Sequence, residues 1–248
     1  MDPGLKDADA IQKTVAREAA YYLEEVAKDG AKIGLSGGKT LYYMITYLEP
    51  ERLHGLQLYP LTLTGILSMP GLTANALVGM MSTKYPDATA FNLPTLPGAS
   101  REEYEKQMAA NPELQKTYRE IGEVDIMVLG VGYLTGPLLG FRALAQQELS
   151  ISPEELKAKG MVGEINHIPI NAQGEPMLND DPDLAKLTRR IIGVGPAALR
   201  ERAGRSDRLV VAVAGGLEKQ DAIRACLKGK YFNVLITDAY VAEALVQG

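Results

Sequence analysis

Residues 33–41 read Ile-Gly-Leu-Ser-Gly-Gly-Lys-Thr-Leu, a short apolar run that turns through glycines into a helical pattern. Such a bend aims backbone N–H groups and a helix N-terminus at one point, which suits an anion such as a phosphate. Ser36, Gly37, Gly38, Lys39 and Thr40 supply the backbone donors, a hydroxyl and an ammonium. The loop is one residue short of a nucleotide-binding P-loop. That motif needs glycine five places before the Gly of Gly-Lys-Thr, and here that place is Ile33, with the nearest glycine at Gly34. The loop therefore suggests a phosphate and argues against ATP or GTP, with a tight αβ turn and an exposed lysine as the other reading.

Gly215-Gly216-Leu-Glu-Lys219 repeats the design after another apolar run. Lys219 falls in the first turn of a helix, where a cation opposes the helix dipole by about 0.3–1 kcal/mol. An anionic or hydroxyl-bearing ligand explains it better than a surface position. In Gly160-Met-Val-Gly163-Glu164-Ile-Asn166-His167 a carboxylate sits in an apolar stretch. Glu164 should point to a cleft or pair with a cation, where it could accept bonds from sugar hydroxyls or act as a base. His167 reads as a packed or surface histidine and Cys226 as core. No serine–histidine–aspartate set assembles. Two histidines cannot build a His-rich metal site and no Cys/His spacing suggests zinc, so no metal and no cofactor is expected.

The elements that must carry these residues alternate. Residues 8–28 form an amphipathic helix on the stripe Ile11, Val15, Ala19, Tyr22, Val26. Strands are expected at 31–35, 56–63, 89–93, 125–129, within 161–170, at 209–214 and at 234–237. Helices fall at 40–48, 73–84, 101–121 (split at Asn111-Pro112), 153–159, 218–228 and 238–246, with caps at Ser152–Glu155 and Asp238. Asn171–Pro182 reads as a surface loop, and Arg200, Arg202, Arg205 and Arg208 as a solvated helix end and loop. Alternating strands and helices mean a Rossmann-like, mostly parallel α/β sheet with helices on both faces. Sites in such sheets lie beyond the carboxyl ends of the strands. Those ends carry Ser36–Thr40, Gly130–Gly132, Gly215–Lys219 and Thr237-Asp238, one polar rim.

The chain has 248 residues, 46% of them hydrophobic, and a formal net charge of −5. No linker divides it, so residues 1–248 read as one domain. No basic stripe for nucleic acid, no signal peptide and no membrane span of about 20 apolar residues is present, and a single cysteine fits a cytoplasmic location.

The order of these motifs resembles the effector-binding domain of SorC-type (DeoR/CggR-like) bacterial transcriptional regulators. The matching pieces are residues 33–41, Val124–Gly132, Gly160–Ile165, and Val211–Lys219 continuing through Ala222-Ile223 to Asn233–Asp238. The resemblance implies a fold like that of glucosamine-6-phosphate deaminase, ribose-5-phosphate isomerase and CoA transferases. It implies a phosphorylated sugar effector without turnover, and assembly as a dimer or tetramer. By that analogy Ser36–Thr40 holds the phosphate, while Glu164 or Asn171, with Lys219, holds sugar hydroxyls. Asn171 stands where that family commonly has an acid. Members carry an N-terminal helix-turn-helix, but here the helix at 8–28 leads straight into the first strand. DNA would be reached only through a segment absent from this sequence, and a stand-alone sugar-phosphate-binding protein is the other reading. The rival class is a sugar-phosphate isomerase or amino-sugar deaminase with Glu164 as base. A covalent sensor, with Lys39 or Lys219 forming a Schiff base, is a third.

Overall fold

The computed structural model describes residues 8–50, 52–63, 70–94, 101–135, 140–178 and 181–247. The chain runs α1 (Ala8–Val26), β1 (Lys32–Leu35), α2 (Lys39–Tyr47), β2 (Gln57–Pro60), β3 (Thr62–Leu63), α3 (Ala74–Lys84) and β4 (Thr89–Ala90). It continues through α4 (Arg101–Ala109), α5 (Pro112–Ile121), β5 (Ile126–Tyr133), α6 (Gly140–Leu149), α7 (Pro153–Ala158), β6 (Met161–Ile165) and β7 (Ile168–Asn171). The last third holds α8 (Pro182–Thr188), β8 (Ile192–Gly193), α9 (Pro196–Ala203), β9 (Leu209–Val213), a 3-10 turn (Leu217–Lys219), α10 (Gln220–Lys228), β10 (Val234–Ile236) and α11 (Ala239–Val246).

Six strands run parallel in the order β10-β9-β5-β1-β2-β4. The chain starts in the middle at β1, winds outward one way to β4, then returns to β5 and winds the other way. The order reverses between β1 and β5, and a crevice opens at the carboxyl ends of strands at such a switch point. The apolar runs alternate between faces, as a sheet covered on both sides requires. Met127, Leu129, Val210 and Ala212 join one core, and Val128, Val211, Val213 and Ile33 the other. The stripe of α1 packs on that second core, with Val15 and Ala19 buried and Ile11, Tyr22 and Val26 half-buried against it. Asn111, Ser152 and Asp238 cap their helices, Ser152 and Glu155 through the expected reciprocal box.

Several features depart from the sequence reading. Residues 56–63 are not one strand: the chain leaves the sheet after Pro60, and β3 pairs antiparallel with β8. The single strand expected within 161–170 is a hairpin. β6 runs antiparallel to the far end of β5, Gly132 facing Glu164, and β7 folds back on β6. Helices α6, α8 and α9 lack a long enough apolar period to stand out in the sequence. With α7 and the hairpin, α6 and α8 form a third apolar cluster around Phe141, Leu156, Ile168 and Leu184. The arginine run is solvated only in part, with Arg200 and Arg205 exposed. Arg202 is buried against Glu123 (3.1 Å), Arg200 donates to the Gly229 carbonyl (2.7 Å) and the Tyr231 hydroxyl (2.9 Å), and Arg208 reaches Asp125 (3.3 Å). In the segment read as a loop, α8 begins at Pro182, and residues 179–180 lie outside the described residues.

Candidate functional site

At the switch point lies a cavity of about 420 Å³. Ser36, Gly37, Gly38, Lys39, Thr40, Gly130, Gly132, Glu164 and Lys219 all line it, so nine of the ten residues singled out in the sequence meet there. Asn171 does not. Its side chain closes the turn after β7, accepting from the N–H of Gln173 (3.0 Å) and of Glu175 (2.9 Å) and donating to Glu175 Oε2 (3.2 Å). The reason is direction: β7 starts at the rim and runs away from it. Asp238 also stays outside, but it accepts from the Gly216 N–H (2.7 Å) and so holds the second glycine corner in place.

The first corner differs in detail from the donor set expected. The Ser36 N–H donates to the Val128 carbonyl (3.0 Å) and the Gly38 N–H to the Leu72 carbonyl (2.9 Å), so both serve the fold. Gly38 is the N-cap of α2, at φ 131°, with no side-chain cap. The first turn of α2 therefore presents the N–H groups of Lys39, Thr40 and Leu41 without intrahelical partners. These, with Gly37, are the donors that face the cavity. The Thr40 hydroxyl accepts from Gln12 of α1 (2.7 Å). Lys39 does not stand open either: it pairs with Asp9 of α1 (2.7 Å), which also pairs with Lys13 (2.7 Å) and accepts from the Tyr43 hydroxyl (2.9 Å). Lys13, then Lys39 and Tyr43, hold the Asp9 carboxyl well below the usual carboxylate range.

The second corner buries its lysine. Lys219 is 8% exposed, and its ammonium lies 5.3 Å from the centre of the Tyr133 ring. Among the described residues it forms no ion pair. Burial pushes its pKa down to about 8, against the upward pull of the neighbouring Glu218 and with a further push from Arg142. Arg142 of α6 is also buried; it donates to the Leu134 carbonyl (2.7 Å) and lies 6.0 Å from the Tyr133 ring centre. Burial lowers its pKa, and Glu164 and Tyr133 partly restore it.

Glu164 is buried at the cavity wall, as its apolar surroundings imply. One carboxylate oxygen accepts from the Phe141 N–H at the start of α6 (2.8 Å). The other lies 3.6 Å from His167 Nδ1. Gly132 is a glycine because Glu164 lies across it: a Cβ there would collide with the carboxylate side chain. Arg142, Tyr133, Asp9, Gln12, Asn166 and His167 were missed in the sequence, though all line the cavity. The signal for the last two was present: a polar pair between two apolar runs is a hairpin-turn pattern. Asp9 and Gln12 read only as the polar face of α1. No group of three or more His, Cys, Asp or Glu among the described residues is placed to hold a metal ion.

A mostly parallel α/β sheet with a cavity carrying a few charged side chains at its switch point is the architecture of a small-ligand-binding domain. The family model described as "Putative sugar-binding domain" matches residues 3–247, and the chain belongs to that family. The deoxyribonucleoside regulator of Bacillus subtilis (strain 168) is 27% identical over 97% of this chain and 72% of its own length. The transcriptional regulator LsrR of Escherichia coli (strain K12) is 36% identical over a shorter stretch, 36% of this chain and 25% of that protein. The full-length sorbitol operon regulator SorC of Klebsiella pneumoniae superposes with a TM-score of 0.78 at 17% identity, over 98% of this chain and 74% of that one. A transcriptional regulator from Streptococcus pneumoniae TIGR4 gives 0.76 at 21% identity, covering 98% and 88%. The resemblance to sugar-binding domains of SorC-type regulators, and the fold it implied, are borne out. These relatives are named as regulators rather than enzymes. No helix among the described residues is long and apolar enough to cross a membrane.

Proposed function

We propose that residues 1–248 act as one sensing unit that binds a phosphorylated sugar without turning it over. In the intact regulator, occupancy of the cavity modulates DNA binding by a helix-turn-helix outside this sequence. The observation that carries this reading is the uncapped N-terminus of α2 opening into the same cavity as the buried cations Lys219 and Arg142. The helix start and Gly37 take the phosphate; Lys219, Arg142 and Glu164 take hydroxyl or carbonyl oxygens of the sugar. Signal passes as a population shift: the ligand binds one arrangement of the rim, or of a dimer or tetramer interface, better than another. The setting is the bacterial cytoplasm, where phosphorylated sugars occur.

Isothermal titration tests it with ribose 5-phosphate, 2-deoxyribose 5-phosphate and fructose 6-phosphate, beside the free sugars and deoxyribonucleosides. At least one phosphorylated compound should bind at least about a hundredfold tighter than its free sugar, the lower end of what two charge-assisted hydrogen bonds are worth. Equal binding of the free sugars sinks the phosphate reading. Conversion of the ligand on incubation would instead favour an isomerase or deaminase with Glu164 as base. Lys219, with its pKa near 8, is the residue a covalent sensor would use. Borohydride trapping and mass measurement decide that point.

A further inference from the structure

The β6–β7 hairpin closes through Asn166 and His167, both at positive φ (47° and 67°). A two-residue turn of that kind favours Asn followed by Gly, because a Cβ is strained in the left-handed region. Asn166 is accounted for: it tolerates that region, and its buried amide donates to the carbonyls of Leu61 (3.2 Å) and Val194 (2.8 Å). His167 is not accounted for by the turn. Its side chain lines the cavity, and its Nδ1 is buried with no hydrogen-bond partner, 3.6 Å from Glu164 Oε1. The other side of the ring borders the phosphate loop, where a Cβ on Gly37 would lie 3.6 Å from Nε2. A third left-handed residue completes the seat. Gly140 has φ 59°, and a Cβ there would run into Glu164 Oε1 and lie 2.6 Å from His167 Nδ1. Backbone strain and an unsatisfied buried nitrogen at one wall of a cavity are costs that a ligand contact would offset.

We propose that His167 reads the phosphate of the ligand and takes up a proton in doing so. This rests on the phosphorylated-sugar reading above. In the complex the ring is an imidazolium: Nδ1–H donates to Glu164 Oε1 and Nε2–H to a phosphate oxygen. The proton comes from solvent, and no covalent bond changes. The Phe141 N–H holds the other oxygen of Glu164, so the carboxylate stays in place to share the charge. The titratable groups that line the cavity with the ring are Glu164 on the same hairpin, Tyr133 of β5, Arg142 of α6, Lys39 of α2, Asp9 of α1, and Glu218 and Lys219 at the second corner. Lys219 also titrates, near pH 8, so its contribution must be separated.

The test is titration of the wild type, His167→Gly and His167→Asn with the three sugar phosphates and inorganic phosphate at pH 6.5, 7.5 and 8.5. Paired buffers of different ionisation enthalpy count the protons. Both variants suit a left-handed residue, so they should fold, and His167→Gly should melt no lower than the wild type. For the wild type, binding should take up protons at pH 7.5, where a phosphate monoester is already mostly the dianion, and take up more than His167→Gly does. Affinity should fall by up to about tenfold per pH unit while that linkage operates. In His167→Gly the uptake at pH 7.5 should fall to the minor share that Lys219 contributes, and affinity at pH 6.5 should drop at least tenfold, leaving only the decline around and above pH 8. His167→Asn should recover part of the affinity without the proton. Tight, proton-silent binding by the wild type, or undiminished affinity in His167→Gly, overturns this inference and leaves the phosphate reading standing. Failure of every phosphorylated compound to bind overturns both.

Discussion

Two corners of this molecule share one local design, and the tertiary structure gives them opposite characters. Ser36-Gly37-Gly38-Lys39 and Ala214-Gly215-Gly216-Leu217-Glu218-Lys219 each follow a buried strand and end in a lysine. In each the second glycine is an N-cap in the left-handed half of φ, 131° at Gly38 and 98° at Gly216, with no side-chain cap. Yet the Lys39 side chain is 39% exposed and paired with Asp9, whereas Lys219 is buried without an ion pair among the described residues. The difference comes from what covers each corner. The first turn of α1 brings a carboxylate to Lys39; Tyr133 and Arg142 surround Lys219 and bring none. A charge already paired has little left to offer a ligand, while a buried one without an ion pair has much.

Truncating each lysine breaks the comparison most directly. Lys219→Met should weaken sugar-phosphate binding by roughly 10- to 150-fold, the worth of one charged hydrogen bond. It should also raise the melting temperature of the free protein, because it removes a desolvated cation. Lys39→Met should change affinity less than about fivefold. If calorimetry shows the two losses to be equal, the assignment of roles to the corners is wrong.

The pH dependence of stability sharpens the same contrast. The folded state lowers the pKa of Lys219 to about 8 from an ordinary value near 10.5. Above pH 8 the folded protein sheds that proton while the unfolded chain keeps it, so this group adds stability as pH rises from about 8 to about 10.5. The gain is on the order of 3 kcal/mol. Denaturant titrations of wild type and Lys219→Met across that window should differ by this rise. Ligand affinity should move the opposite way over the same range, since it needs the ammonium.

The glycines offer a smaller, steric contrast. Gly132→Ala places a Cβ against the Glu164 side chain, whereas the nearest atom to a Cβ at Gly130 is Leu41 Cδ1, at an ordinary 3.8 Å. The first should cost about 1–3 kcal/mol in denaturant unfolding and displace Glu164 from the cavity wall; the second should be near neutral. Asp9→Asn is expected to have the least effect. It frees Lys39, so anionic ligands should bind a few-fold tighter at low salt, an advantage that titration in 0.5 M salt should erase.

Much of this was legible along the chain. Strands β1, β5, β9 and β10 are short apolar runs that end in glycine or a helix cap, and their parallel order follows from the helices between them. Nine of ten candidate residues meet in one cavity because strand ends are local signals and parallel strands put all such ends on one rim. Asn171 failed because its place depends on the direction of β7, which the unrecognised turn at Asn166-His167 sets. Asp9, Gln12 and Arg142 escaped notice because nothing local distinguishes a polar residue facing a cavity from one facing water.

The sequence by itself determined the alternation of strands and helices, the glycine bends at the strand ends, the exclusion of a nucleotide loop and the kinship with regulator sugar-binding domains. These rest on periodicity, steric freedom at glycine and hydrogen-bonding geometry, all properties of a few neighbouring residues. Only the tertiary structure decided which lysine is buried without an ion pair among the described residues, which N–H groups of the first glycine corner have no partner within their helix, and that a histidine in a strained turn faces Glu164. Those outcomes depend on burial and on partners 30 or more residues away, as Lys39 and Asp9 are. No local pattern encodes the dielectric surroundings or the charge that another element brings.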